Sequence, residues 1–177
     1  GSRLEACAAD QAAVDVRLAE QFPGIVGLDA AAVLDPHGLR HAFIRKVRQD
    51  TDQRPFLVIW ESTRACQLVC QHCRADSQNE PHPLQLTTAE GKRLLDDIAS
   101  FGAPSPMVVI SGGDPFERHD LNELIAYGRQ LGLSMALAPS VTPKATRERF
   151  AAAAQAGAKA VSISLDGATA ATHDGFR

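Results

Sequence analysis

Three of the four cysteines of this 177-residue chain lie close together in the stretch WESTRACQLVCQHCRAD. Their spacing, C-x3-C-x2-C, places Cys66, Cys70 and Cys73 in one short segment, which we call the cysteine loop (residues 66–73). These cysteines are too close together to staple distant parts of a fold with disulfides. Clustered thiols are more often metal ligands or redox groups where thiols stay reduced. We therefore expect a metal or redox centre in this loop.

Three interpretations of the cysteine loop follow from its chemistry. Three thiolates can hold three corners of an iron–sulfur cube and leave the fourth iron open for a substrate or cofactor. A zinc site would need a fourth ligand, for which His72 or His82 could serve, although His72 lies awkwardly between two of the cysteines. A two-cysteine redox motif would explain Cys70 and Cys73 but not Cys66. We favour the cluster because it uses all three thiols.

The elements that must position this loop form a regular series after Pro55. Short apolar runs predict four strands, namely FLVIWE, MVVIS, LSMALA and AVSISLD. Between them lie three helical patterns, TTAEGKRLLDDIASFG, DLNELIAYGRQLG and TPKATRERFAAAAQAG. Continuous apolar runs suit strands that are covered on both faces. The alternation predicts an α/β fold with a parallel sheet and right-handed crossovers, either an open sheet or a barrel wall.

Each predicted helix carries signals at its ends. Thr87 and Glu90 form a capping box at the start of the first helix. Asp120 is the predicted N-cap of the second helix, and Thr142 that of the third, with Pro143 at its first position. Glycines are expected to end the three helices: Gly102, Gly132 and Gly157.

Polar and glycine-rich residues follow every predicted strand, which is where α/β folds bind their ligands. After the second strand comes SGGDP, the glycine turn (Ser111–Pro115), whose paired glycines would let a ligand approach the backbone and leave its N–H and C=O groups free. Ser140 follows the third strand, and Ser164 and Asp166 lie at the end of the fourth, where such groups could bind a ribose diol. Each motif alone also fits an ordinary turn, but all four would share one rim.

Residues 1–53 predict a helical extension and linker ahead of a core at 54–177. Helical patterns occupy 3–21 and 37–49, and Cys7 in the first is expected to be a small, half-buried side chain. A formal net charge of −3 without a basic face gives no sign of nucleic-acid binding. No apolar run is long enough to cross a membrane, and no signal peptide opens the sequence. We therefore expect a cytoplasmic protein with neither nucleic-acid nor membrane partners.

The cysteine loop and the GGDP motif resemble those of the radical S-adenosylmethionine (radical SAM) superfamily. WESTRACQLVCQHCRA and SISLDGATAATHDGFR are more narrowly similar to the branch with C-terminal SPASM or related auxiliary-cluster domains. That branch includes maturases of ribosomal peptides and enzymes of haem and cofactor synthesis. The resemblance covers about residues 54–177 and implies a partial (β/α)6 barrel with about four βα steps. We expect a fragment, cut after its fourth strand and catalytically incomplete alone.

The resemblance also implies the cofactors and the residues that bind them. Three thiolates would ligate a [4Fe–4S] cluster, whose open iron would bind the amino and carboxylate groups of S-adenosylmethionine (SAM); their residues are Cys66, Cys70 and Cys73. Gly112, Gly113 and Asp114 would line the methionine amino group. Relatives more often carry Glu at the last of these positions, and Asp is one methylene shorter. No side chain is implied as a catalytic acid or base.

The remaining implied contacts surround the rest of SAM. Ser140 would reach its carboxylate, Ser164 or Asp166 its ribose, and the backbone near His72 its adenine. Reductive cleavage would give methionine and a 5′-deoxyadenosyl radical that takes a hydrogen atom from a peptide, a tetrapyrrole or a small metabolite. The electron would come from a reductant such as flavodoxin or ferredoxin. A non-catalytic binding module stabilised by zinc or a cluster is the alternative.

Overall fold

The computed structural model describes residues 51–68 and 70–177, so the helices predicted at 3–21 and 37–49, and Cys7, lie outside the described residues. A parallel sheet has its four strands in chain order, β1-β2-β3-β4. The strands and the helices between them are β1 (Leu57–Thr63), α1 (Thr88–Ala99), β2 (Met107–Gly112), α2 (Leu121–Gln130), β3 (Ser134–Leu137), α3 (Arg147–Ala156) and β4 (Ala160–Val161). The predicted alternation and parallel sheet are confirmed.

The sheet and its helices belong to one compact unit, which runs to Leu165 and takes in Gly175–Arg177. Residues 166–174 belong to a second unit and contain a short helix, α4 (Ala170–Asp174). Across the part of the chain that the structure describes, none of the helices has the length and hydropathy needed to span a bilayer. The predicted domain boundary at residue 53 stays a prediction.

One face of the sheet carries the core. Strand residues at alternate positions pack against helix residues, and the largest buried members are Trp60, Val108, Ile110, Met135 and Leu137 from the strands and Leu95, Leu124, Ile125 and Phe150 from the helices. Because the strand order follows the chain, successive right-handed crossovers put the three helices on the same face. Among the described residues, the three helices between the strands therefore pack on one face of the sheet.

We expected strands with continuous apolar runs to be covered on both faces, but β1 is exposed on the face away from the core. Leu57 and Ile59 point away from the core and are 41% and 55% exposed. A continuous apolar run indicates that both faces prefer to be dry, but it does not say which element supplies the second layer. Among the described residues, that second layer is missing over β1.

The last strand is shorter than its sequence suggests. We expected AVSISLD to be a strand, whereas β4 is limited to Ala160–Val161, and Ser162 adds a single N–H bond to Leu137 O at 2.8 Å. The apolar side chains of Ile163 and Leu165 are 43% and 53% exposed. β-Propensity is expressed mainly through packing against neighbours, and these residues lack that packing in the described part of the chain.

The helix ends confirm some of the predicted signals and correct others, among them Pro143, which precedes α3 and is not its first residue. Thr87 and Glu90 form the expected capping box, and Gly157 ends α3 in the left-handed conformation. Thr142 is not the N-cap of α3, which begins at Arg147 with Thr146 as its cap. The Thr142 hydroxyl instead donates to the Asp114 carboxylate at 2.7 Å and accepts the N–H of Lys144 at 3.2 Å, in a turn that ends before α3 begins.

Asp120 precedes α2 as predicted, but its side chain makes no capping bond because a buried ion pair occupies it. Arg118 donates to both Asp120 oxygens at 2.9 and 2.7 Å, and the two side chains are only 1% and 3% exposed. Arg118 also donates to Ser62 O at 2.8 Å and Leu86 O at 3.1 Å. The pair thereby fixes the end of β1, from which the cysteine loop departs.

Candidate cofactor site

The glycine turn packs directly against the start of the cysteine loop. Gly113 N–H donates to Thr63 O at 2.8 Å, and Asp114 N–H donates to Ala65 O at 2.7 Å. The hydrogen-bond ladder between β1 and β2 therefore continues past the ends of both strands. A Cβ atom on Gly113 would lie 2.3 Å from Ala65 O, so only glycine permits this approach of two backbones.

The paired glycines have a different role from the one that we expected. We expected them to leave their backbone groups free for a ligand, but Gly113 N–H is bonded to Thr63 and Gly113 C=O accepts the Ser140 hydroxyl at 2.9 Å. Gly112 has φ +124°, and a Cβ atom there would lie 2.3 Å from Thr63 O. Both glycines serve first to bring the turn against β1. Their contact with a methionine amino group stays a prediction.

The structure brings Cys66 together with two other residues that the sequence singled out. Cys66 is buried, and its thiol lies 3.6 Å from Ser140 Oγ, whose hydroxyl donates in turn to Gly113 O. The Cys66 sulfur also accepts the N–H of Leu68 at 3.4 Å. The ends of β1, β2 and β3 therefore meet at one point, as expected for strand ends on one edge of a parallel sheet.

Cys73 lies in a turn that supplies donors to its sulfur. Cys73 N–H donates to Cys70 O at 3.1 Å, and the Cys73 sulfur lies 3.2 Å from Ser77 Oγ and 3.4 Å from Ser77 N. Burial alone would raise the pKa of the Cys73 thiol. The hydrogen bonds from the side chain and N–H of Ser77 and from neighbouring backbone groups outweigh it and lower that pKa. The turn thus favours the thiolate, which is the form that binds metals.

The residues at positions 176 and 177 border the cysteine loop, which the sequence did not indicate. The Phe176 ring stacks on His72 with centroids 4.1 Å apart. Arg177 Nη1 lies 3.8 Å from the Cys70 sulfur. The His72 imidazole, whose neighbouring backbone we expected near adenine, therefore has one face covered by an aromatic ring. These two contacts link positions more than a hundred residues apart, so no local pattern could have revealed them.

The Asp114 side chain is committed to the protein itself. It is fully buried, accepts the N–H of Phe116 at 3.0 Å and the Thr142 hydroxyl at 2.7 Å, and caps a 3-10 turn at Pro115–Glu117. Burial raises the pKa of this carboxyl above its usual range, although the bonds from Thr142 and Phe116 act against that shift. Asp114 thus joins the glycine turn to the loop after β3.

The two residues predicted to bind ribose lie after β4. Ser164 is exposed in the irregular segment that follows this strand. Asp166 belongs to the separate unit at 166–174, where its N–H donates to His173 Nδ1 at 3.1 Å. The contacts of these two residues neither support nor oppose a ribose site, and their role stays a prediction.

Three thiols in one loop are a donor set that an iron–sulfur cluster can use. The three thiols of the cysteine loop are free of disulfides. In residues 51–68 and 70–177, no three His, Cys, Asp or Glu side chains, the three thiols included, are gathered into a group that could hold a metal ion. His72 is stacked on Phe176, and His82 Nδ1 accepts the N–H of Leu84 at 3.1 Å. Three thiols with hydrogen-bond donors at their sulfurs match what a cluster requires.

Gly113→Ala is expected to disturb the cysteine loop and not merely a ligand surface. Its methyl group would clash with the Ala65 carbonyl, and overpacking of this kind costs about 1–3 kcal/mol. We expect lower iron loading after reconstitution and a lower free energy of unfolding. The control is Gly102→Ala, where a Cβ atom meets nothing within 4 Å and only the left-handed φ of +75° is strained. Full iron loading in Gly113→Ala would contradict the prediction.

Comparison with known proteins was made on the amino-acid sequence. The family model described as Radical SAM superfamily matches residues 60–177. An AdoMet-dependent heme synthase from Oleidesulfovibrio alaskensis is 44% identical over 121 residues, covering 68% of this chain and 30% of that protein. A PqqA peptide cyclase from Rhodopseudomonas palustris is 38% identical over 120 residues, covering 68% and 31%. For the mycofactocin maturase MftC of Mycobacterium tuberculosis the identity is 33% over 126 residues, with coverage of 70% and 30%. The chain thus spans about a third of the length of these curated relatives.

Proposed function

The chain belongs to the radical SAM superfamily, and we propose on that premise that it forms the cofactor-binding part of an iron–sulfur enzyme. The observation that carries the proposal is the junction of the glycine turn with the cysteine loop, where Cys66, Gly113 and Ser140 meet. Such a junction can hold a ligand against a cluster. The cluster would be a [4Fe–4S] centre, and its three protein ligands would be Cys66, Cys70 and Cys73.

When bound, the cluster and SAM would supply reductive, one-electron cleavage of SAM to methionine and a 5′-deoxyadenosyl radical able to take a hydrogen atom from the substrate. The side chains of this site would hold the cofactors in place and would take no part in proton transfer. Buried Cys66 sets the depth of the site, and Ser140 is placed to turn its hydroxyl from Gly113 O toward a carboxylate. Gly112 and Gly113 keep the turn close enough to β1 for that contact.

Asp114 contributes to the same site by holding the glycine turn in place. Its carboxylate accepts bonds from Thr142 and Phe116, and so we propose that it fixes the turn facing the methionine amino group without touching that group. The backbone near His72 would lie by the adenine, and Ser164 or Asp166 would contact the ribose. Precise placement of SAM and the substrate matters because a radical attacks whatever lies closest to it.

The substrate we propose is a tetrapyrrole, with a ribosomal peptide as the second candidate. The relative named as a heme synthase is 44% identical, against 38% for a PqqA peptide cyclase, and both matches cover 68% of the chain. This difference favours the tetrapyrrole. The electron would come from a low-potential protein such as flavodoxin or ferredoxin, and we propose no nucleic-acid or membrane partner.

Anaerobic reconstitution with iron and sulfide tests the proposed function. We expect a brown protein with about four irons per chain, whose electron paramagnetic resonance (EPR) signal after reduction shifts when SAM is added. Reconstitution with zinc alone is the control. A colourless protein that retains one zinc under both treatments would instead support a structural zinc module. A cluster that forms but ignores SAM would refute the SAM site and leave the cluster standing.

A further inference from the structure

Two side chains that the proposed function does not use make hydrogen bonds with the sulfurs of the cysteine loop. The Ser77 hydroxyl lies 3.2 Å from the Cys73 sulfur, and Arg177 Nη1 lies 3.8 Å from the Cys70 sulfur. The third sulfur, that of Cys66, receives a backbone N–H at 3.4 Å. Each thiol thus faces a donor outside the set of ligands.

The Ser77 contact depends on an unusual local backbone. Asp76 has φ +46°, a left-handed conformation that non-glycine residues rarely adopt. Arg64 holds it there by donating to Asp76 O at 3.1 and 2.8 Å and by pairing with its carboxylate. The resulting turn directs both the N–H and the hydroxyl of Ser77 at one sulfur. Strain of this kind persists only where the surroundings enforce it, and it is concentrated at functional sites.

The Arg177 contact differs in kind because it brings a permanent positive charge. A guanidinium group stays protonated at any pH at which the protein is folded. Beside the Cys70 sulfur it therefore stabilises added negative charge, whether on a thiolate or on a reduced cluster. The side chain is only partly exposed, so water screens this effect incompletely.

We propose that Ser77 and Arg177 are positioning residues that raise the reduction potential of the cluster through Cys73 and Cys70. This inference rests on the proposed function. In the step concerned, one electron passes from a low-potential donor to the cluster, and no bond forms or breaks. Hydrogen bonds and positive charge at the ligating sulfurs favour the reduced form because it carries one more negative charge. Their removal should make the cluster harder to reduce.

The test uses the reconstituted full chain without SAM, poised at the potential at which half of the wild-type cluster is reduced. EPR then gives the ratio of reduced to oxidised cluster. We expect Ser77→Ala and Arg177→Gln each to lower this ratio about threefold, the size expected of one hydrogen bond. The double variant should lower it about tenfold, which is 59 mV for a one-electron couple.

Conservative and distant variants serve as controls. Ser77→Thr keeps the hydroxyl and Arg177→Lys keeps the charge, so both should stay closer to the wild-type ratio than Ser77→Ala and Arg177→Gln. Ser105→Ala and Arg93→Gln change exposed side chains of the same types elsewhere and should leave the ratio unchanged.

Unchanged ratios in variants with full iron content would overturn the proposal. If Ser77→Ala cannot retain iron, its hydroxyl acts in assembly and not in tuning, which overturns the proposal for Ser77, and Arg177→Gln then decides the other half. The proposed function fails separately, because it fails only if the wild-type chain itself assembles no cluster that responds to SAM.

Discussion

Cys66→Ala, Cys70→Ala and Cys73→Ala will each abolish stable assembly of a [4Fe–4S] cluster. Two thiolates cannot hold three corners of the cube. Iron measured after anaerobic reconstitution and desalting should fall from about four per chain to below about one. Cys66→Ala should be the most severe, because Cys66 is buried and also contacts Ser140.

Cys7→Ala is the matched control, since it removes a thiol of the same chain from outside the cysteine loop. It should leave the iron content unchanged. The assignment of ligands is wrong if Cys7→Ala removes the iron while Cys66→Ala keeps it.

Arg118→Met will cause the largest loss of stability among the substitutions considered. It leaves the buried Asp120 carboxylate without its cation, although the Thr88 hydroxyl still donates to it, and it deprives the carbonyls of Ser62 and Leu86 of the Arg118 donor. Breaking one side of a buried ion pair costs about 3–5 kcal/mol. Urea unfolding followed by circular dichroism should show that loss in the free energy of unfolding. Iron loading should fall as well, because Arg118 holds the strand end that leads into the cysteine loop.

Two further variants identify the cause. Lys92→Met removes a cation from a largely exposed pair with Glu123, and we expect a much smaller change. The double variant Arg118→Met/Asp120→Leu should recover part of the lost stability, because it removes the unpaired charge as well. A double variant less stable than Arg118→Met would show that the pair is not the source of the effect.

The order of strands and helices could be read from the sequence because it depends on local patterns. The capping box at Thr87 and the glycine at position 157 are local signals, and the structure contains both. Thr142 and Asp120 carry equally good capping signals, yet tertiary partners take their side chains. A capping residue can be recognised from its neighbours in sequence, but its availability depends on contacts that form only in the folded state.

In the candidate site, too, some features could be predicted from the sequence and others depend on tertiary contacts. The spacing of the cysteines indicates a shared centre, and the rule that ligands gather at strand ends correctly brings Cys66, Gly113 and Ser140 together. The donors at the sulfurs could not be predicted. Ser77 reaches its sulfur through a left-handed Asp76, and Arg177 reaches across 107 positions. Neither a strained backbone angle nor a long-range contact produces a pattern that can be recognised in the sequence.

The strand order also bears on how the protein folds. Leu57 pairs with Met107, whereas Met107 pairs with Ser134 and Ala136 with Ala160. The first crossover therefore closes a loop about twice as long as either of the others, which adds roughly 0.6 kcal/mol of closure entropy. Because that entropy is lost before the contacts reward it, we expect β2, β3 and β4 to associate first and β1 to dock later. The contact between the glycine turn and the cysteine loop would then form late, on a sheet that is already in place. We therefore expect metal binding to be among the last steps in the formation of the folded protein.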